Sequence, residues 1–189
     1  MASKTRVGVL ISGRGSNMMA LVQAAAAGAP YQVALVASDR PDAAGLAWAT
    51  EQGLVTFALS PKGIGKPAYE AALDAALRDA GVEVIALAGY MRLLSDAFVA
   101  GWRGKILNIH PSLLPKYKGL DTHERALGAG DAVAGCSVHV VTEELDGGEV
   151  LGQAEVPIMP GDDAAALAER VLAREHQLYP QILSRFVTR

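Results

Sequence analysis

The sequence predicts an α/β protein: an open three-layer sheet, parallel in its N-terminal half and mixed in its C-terminal half, where an antiparallel hairpin is added. Three observations predict it. Short apolar runs rich in β-branched residues alternate with helical patterns as far as Pro111, the signature of βαβ units. Beyond Pro111, a Gly-containing loop at Asp146-Gly147-Gly148 separates two further strand-like runs, as a hairpin does. The length of 189 residues suits one compact domain of about 100 to 200 residues, so 1–189 is expected to fold as a single unit.

The five strands of the first half are expected at 6–11, 32–37, 54–59, 83–88 and 105–109. Between them lie helices at 16–27, with Ser16 as N-cap and Gly28 at the end, at 43–52, and at 65–81. The last of these sets Tyr69, Leu73, Ala76, Leu77 and Ala80 on one face and stops at Gly81. A loop rich in Pro, Lys and Gly runs to Gly119, and a short helix follows at 122–127. The hairpin strands are expected at 135–141 and 149–156. A closing helix over 162–178 turns Leu167, Val171, Leu178 and, beyond it, Ile182 inward, with Pro180 ending or kinking it. This order of elements is Rossmann-like.

Hydrophobic residues at 51% and charged residues at 20% are ordinary globular usage and exclude a disordered or fibrous chain. With 17 basic and 20 acidic residues the formal charge is −3, which argues against wholesale binding to nucleic acid or anionic lipid. The longest apolar run, 84–91, falls far short of the about 20 residues that cross a bilayer, and no secretory signal is visible. A lone Cys136 cannot form an internal disulfide, so the cytoplasm is the expected location. His123, His139 and His176 lack HExxH or Cys/His spacing, and no metal is expected.

The first strand runs into Ser12-Gly13-Arg14-Gly15-Ser16-Asn17 and directly into a helix. Glycines let the backbone approach an anion, and free amides with the helix dipole favour negative charge there. A tight Gly turn with a Ser cap would give the same run. Met18 occupies the third glycine position of a dinucleotide fingerprint, so a phosphate monoester suits the loop better than NAD.

Asn108 and His110 share a face at the carboxyl end of a strand that Pro111 terminates. Ligands bind at that end of open α/β sheets. A neutral amide can donate to a developing oxyanion and an imidazole can shuttle protons, which together suit acyl transfer. Hydrogen bonds to a turn and a backbone carbonyl would also account for the pair. Asp146, at the hairpin tip, could reach the histidine, although Asp-Gly-Gly is also what a turn requires.

Taken together, Gly13-Arg14-Gly15-Ser16-Asn17, Ala88-Gly89-Tyr90-Met91-Arg92-Leu93-Leu94, Asn108-Ile109-His110-Pro111-Ser112-Leu113-Leu114-Pro115 and Glu144-Leu145-Asp146-Gly147-Gly148 closely resemble the phosphoribosylglycinamide formyltransferases, within the wider 10-formyltetrahydrofolate group. The resemblance implies formyl transfer from 10-formyltetrahydrofolate, a cosubstrate, to the amine of glycinamide ribonucleotide in purine synthesis, by direct amine attack. It implies that Asn108 bonds the formyl oxygen, that His110 carries the proton, and that Asp146 raises the histidine pKa and orders a water. Gly15, Ser16 and Asn17 would hold the substrate phosphate, with Glu175 near its ribose and glycinamide end. The folate would lie along Met91, Arg92, Leu93 and Leu94 and the loop Val141, Thr142, Glu143, Glu144, Leu145 and Asp146, its pterin in a slot that includes Leu87 and Val99. Lys66 stands near the folate tail where the family often has arginine, and so lacks a bidentate fork for a carboxylate.

Partners expected on this reading are small molecules, with neither nucleic acid nor membrane, and the chain a monomer or homodimer. Two rivals within the group are a formyltetrahydrofolate hydrolase, which would release formate without an acceptor, and a transfer-RNA formyltransferase, which would bind RNA. A third, a non-catalytic phosphoribosyl-ligand-binding protein, would turn nothing over.

Overall fold

The structure is a computed structural model that describes residues 3–189; Met1 and Ala2, at the start of the expected single unit, lie outside the described residues. Among the described residues, seven strands form one sheet in the order β3-β2-β1-β4-β5-β6-β7. They are β1 (Thr5–Ile11), β2 (Tyr31–Ser38), β3 (Thr56–Ala58), β4 (Val84–Leu87), β5 (Ile106–His110), β6 (Val133–Val140) and β7 (Val150–Pro157). β1 to β5 pair in parallel, while β6 runs antiparallel to β5 and β7 antiparallel to β6. This is the mixed open sheet that the alternating pattern predicts.

The helices are α1 (Ser16–Ala26), α2 (Ala44–Glu51), α3 (Lys66–Asp79), α4 (Asp96–Gly101), α5 (Thr122–Gly128) and α6 (Ala164–Phe186). One core joins Val7, Val9 and Ile11 of β1 to Met18 and Leu21 of α1, Leu46 of α2 and the inner face of α6. The other joins Leu10 and Ile85 to Tyr69, Leu73 and Leu77 of α3 and Phe98 of α4. β1 is therefore covered on both faces, which is why its sequence reads as an unbroken apolar run rather than an alternating one. Each fully buried aliphatic side chain in these cores contributes about 1.5–3 kcal/mol.

Three expectations are corrected and one unpredicted helix, α4, is added. Gly15, not Ser16, is the N-cap of α1: it adopts φ 75, a left-handed turn that glycine enters at little cost, and no side chain caps the helix. β3 is only three residues long and pairs with β2 alone, at one edge of the sheet. α4 was not visible in the periodicity, being a six-residue turn of helix whose cap is Ser95, with its oxygen accepting from the Phe98 amide at 3.2 Å. Pro180 neither ends α6 nor lies outside it; the helix continues to Phe186. Tyr179, Ile182 and Leu183 are buried around that proline, and the Tyr179 hydroxyl is shared between the carbonyls of Leu87 and Leu107 at 3.0 and 3.1 Å. Packing against β4 and β5 thus overrides the lost helical hydrogen bond.

The carboxyl ends of β1, β4 and β5 meet at one edge of the sheet, and β6 and β7 deliver their connecting loop to the same edge. That loop depends on Gly148, where a Cβ would lie 1.8 Å from the Val140 carbonyl oxygen. Gly148→Ala is therefore expected to force the two strands apart and cost at least about 1–3 kcal/mol, read as a lower midpoint in urea unfolding. An unchanged midpoint would show that the loop relaxes freely.

Candidate active site

A cleft of about 1220 Å³ runs along this edge, lined by the turn after β1, the segment after β4, the end of β5 and the loop between β6 and β7. Its centre is formed by Asn108, His110 and Asp146, two residues of β5 and one from the loop between β6 and β7. His110 Nδ1 lies 3.5 Å from Asp146 Oδ2, with both side chains 8% exposed. Asp146 holds φ 49, a left-handed conformation that Asp tolerates better than most residues, and its Oδ2 accepts the Gly119 amide at 2.8 Å.

The proton positions follow from the partners. His110 Nε2 is 2.9 Å from the Tyr117 carbonyl, which can only accept, so Nε2 carries a hydrogen and Nδ1 faces Asp146 and the cleft. His139 Nδ1 donates to the Val140 carbonyl at 3.0 Å, and burial holds this imidazole below its ordinary pKa. Burial thus favours the neutral form of His139 despite its 3.6 Å approach to Asp146. Its Nε2 is an acceptor, so Asn108 must present its amide nitrogen to it, at 3.2 Å. That fixes the orientation of the Asn108 amide and leaves its second N–H for the cleft.

The carbonyl that sets His110 is itself held. Tyr117 adopts φ 57; its hydroxyl donates to Asp131 at 2.6 Å and its ring lies 5.1 Å beneath Arg125. Arg125 also donates to the Lys118 and Leu120 carbonyls, and Lys116 pairs with Asp131 at 2.9 Å. The basic loop after Pro115 is thus clamped rather than merely solvated.

At one end of the cleft, α1 starts with no side-chain cap and no acidic residue in its first turn, so its free amides at Ser16 and Asn17 point outward beside Gly15. Gly45 keeps this turn close: its amide donates to the Gly13 carbonyl at 3.0 Å, and a Cβ there would fall 2.9 Å from the Arg14 carbonyl. Asn17 Nδ2 donates to Glu175 Oε2 at 2.8 Å, while Asn17 Oδ1 is buried with no partner among the described residues. Burial raises the Glu175 pKa, with the Asn17 bond opposing it. A carboxyl raised on folding stabilises the protein while protonated, and that contribution is lost as pH rises from the unfolded value through the folded one. Glu175→Gln is therefore expected to match the wild type in acid and to melt higher than it above the carboxyl range. A gap in Tm that does not open with pH would contradict this.

At the other end the cleft is apolar. Leu87, Leu94, Val99 and Val141 line it, with Met91, Arg92, Leu93, Lys66, Thr142, Glu143, Glu144 and Leu145 around its mouth. The segment after β4 is anchored twice. Ser12 donates to Asp39 at 2.6 Å and accepts the Met91 amide at 2.9 Å, and buried Glu70 of α3 accepts the Ser95 amide at 2.8 Å and the Ser95 hydroxyl. Every residue expected in the site lines this cleft. Sequence reading missed the supports Ser12, Asp39, Glu70, Tyr117, Gly119 and Asp131, whose only signal is their place in the fold, and it gave no role to His123, which also lines the cleft. Among the described residues no three His, Cys, Asp or Glu groups converge as metal ligands would, and no helix is long and apolar enough to cross a membrane. Cys136 is buried in the core, its thiol pushed up to about 12 by burial.

Residues 5–183 match the family described as formyl transferase. The chain belongs to the formyl transferase family. This formyl transferase is 45% identical over 180 residues to the phosphoribosylglycinamide formyltransferase of Escherichia coli, covering 94% of the chain and 85% of that protein. It is 45% identical over 188 residues to the trifunctional purine biosynthetic protein adenosine-3 of Drosophila melanogaster, spanning 97% of the chain but only 14% of that much longer protein. Among solved structures, the phosphoribosylglycinamide formyltransferase of Brucella melitensis superposes with a TM-score of 0.94 at 51% identity, covering 98% of this chain and 96% of that one. The sheet order and the flanking helices are those of a formyl transferase fold.

Proposed function

We infer that the protein transfers a formyl group from 10-formyltetrahydrofolate to the amine of glycinamide ribonucleotide, in purine synthesis, with 1–189 acting as one formyltransferase domain in the cytoplasm. The observation that carries this reading is the meeting of Asn108, His110 and Asp146 midway along a cleft that has an amide-lined turn at one end and an apolar slot at the other. At about 1220 Å³ the cleft exceeds the 300–1,000 Å³ usual for one small ligand, as two substrates require.

The turn at Gly15, Ser16 and Asn17 receives the phosphate through main-chain N–H groups, because the Asn17 amide nitrogen is already committed to Glu175. The unpartnered Asn17 Oδ1 suits a donor such as a ribose hydroxyl, with Glu175 alongside. The apolar slot at Leu87 and Val99 suits a flat heteroaromatic ring, and Lys66 and Arg92 at the mouth suit the carboxylates of the folate tail.

An amine is already a nucleophile, so no catalytic Ser or Cys is needed. It attacks the formyl carbon directly through a tetrahedral intermediate; the free Asn108 N–H bonds the oxygen as negative charge develops there. His110 Nδ1 accepts the amine proton, facing Asp146 at 3.5 Å, and returns it to the departing folate nitrogen as that carbon–nitrogen bond breaks. The experiment follows the formyl carbon with purified protein and 10-formyltetrahydrofolate, with and without glycinamide ribonucleotide. Acceptor-dependent transfer is expected. Formate release without acceptor would favour a hydrolase, and no turnover a binding protein.

A further inference from the structure

His110 meets two acceptors that make opposite demands on it. The Asp146 carboxylate, 3.5 Å from Nδ1, favours a hydrogen there, while the Tyr117 carbonyl, 2.9 Å from Nε2, needs one on Nε2. A neutral imidazole can satisfy only one of them. With its hydrogen on Nδ1 the ring would turn a lone pair toward a carbonyl oxygen, and no free base would face the cleft. Distance decides the contest, since 2.9 Å is a full hydrogen bond and 3.5 Å lies beyond the usual range. The other titratable groups near His110 are His139 and His123, and neither hydrogen-bonds its ring.

The outcome therefore depends on where the Tyr117 carbonyl points, and that is fixed away from the ring. Tyr117 holds φ 57, which a bulky residue keeps only where its surroundings impose it. Its hydroxyl is tied at 2.6 Å to Asp131, which lies 14 residues on, between α5 and β6. Hydrogen bonds from Tyr117 and Lys116 hold the Asp131 carboxyl below its usual range, so it stays ionised at neutral pH. The same bond raises the Tyr117 hydroxyl, which remains a donor. On the other side of the turn, Ser112 donates to the Lys116 carbonyl at 2.7 Å, and Ser137 of β6 donates to the Ser112 carbonyl at 2.7 Å.

We propose that Tyr117 and Asp131 are positioning residues for the transfer: anchored on Asp131, the Tyr117 carbonyl excludes the Nδ1–H form of His110 and so presents a free base to the amine. The proposal rests on the proton-carrier reading of His110 above. Neither residue lines the cleft, so both act only through the ring. A ring that spends time in the wrong tautomer still lets both substrates bind but lowers the competent fraction, so kcat falls while KM holds.

The test combines steady-state kinetics with ¹⁵N NMR of histidine-labelled full-length protein at about pH 9, where imidazoles are neutral. The His110 signals are assigned by their loss in His110→Ala. The wild type is expected to show the Nε2–H form. In Tyr117→Phe, which removes one oxygen, and in Asp131→Ala, Nδ1–H signal appears and kcat falls about tenfold, with KM within about twofold. Asp131→Asn, which still accepts the Tyr117 hydroxyl, restores the wild-type tautomer and most of the rate. An Nδ1–H form in the wild type, or a tautomer that Tyr117→Phe and Asp131→Ala leave unchanged, overturns the proposal whatever the rates do. If the wild type transfers no formyl group, the functional reading fails, and the tautomer comparison, which needs no substrate, still decides whether the two residues set the ring.

Discussion

Asn108→Ala is expected to lower kcat by about 10²–10³-fold, with a much smaller change in KM for either substrate. The reason is that its free N–H meets an oxygen whose charge grows between ground state and transition state, and losing one such donor costs about 2.7–4 kcal/mol of transition-state stabilisation. The expected split between kcat and KM is what distinguishes this role from simple folate binding. The substitution also leaves His139 Nε2 without its 3.2 Å donor, so a drop in thermal stability should accompany it, at the scale of about 1–3 kcal/mol for an unpaired buried group. Steady-state kinetics together with a thermal melt check both parts. A kcat within a few-fold of wild type would remove Asn108 from the mechanism.

His110→Ala is expected to lower kcat by about 10²–10⁴-fold, the usual worth of a positioned proton carrier. Added imidazole should restore part of the rate, because the cavity left beside Asp146 accepts a small ring. Because the two residues act on one step, the double variant with Asn108→Ala should be little worse than the poorer single variant. Near-normal turnover of His110→Ala, measured with the formyl-carbon assay, would exclude the proton-carrier role. Strictly additive losses would argue that the two side chains serve separate steps.

The difference between what was legible and what was not is clearest at these residues. Asn108 and His110 stand two apart, and a strand places such residues on one face whatever surrounds it. Their site was therefore readable from spacing and the terminating Pro111. That Asp146 meets His110 follows from the pairing of β5 with β6, Leu107 opposite Val140 and His110 opposite Ser137, and from the way the next loop folds back. No local pattern states that register. Tyr117 and Asp131 were invisible for the same reason: one acts through a backbone carbonyl, which every residue has, and the other through a side chain 14 residues away from it.

Pro180 and Gly15 show the same division at the level of the fold. A proline in a helical pattern reads as a stop, and only the burial of Tyr179, Ile182 and Leu183 against the sheet makes continuing the helix worthwhile. A Ser before a helical run reads as a cap, and only the left-handed turn at Gly15 moves the boundary by one residue. Ser16 and Asn17 are thereby left to present amides rather than to consume them.

The sequence by itself determined the alternation of strands and helices, the edge of the sheet at which ligands gather, and the residue types available there, because periodicity and turn chemistry are local properties of the chain. The tertiary structure alone decided which carboxylate faces His110 and which nitrogen of each histidine bears hydrogen. Those depend on strand register and loop closure, which are set by the packing of distant segments rather than by any neighbour in sequence.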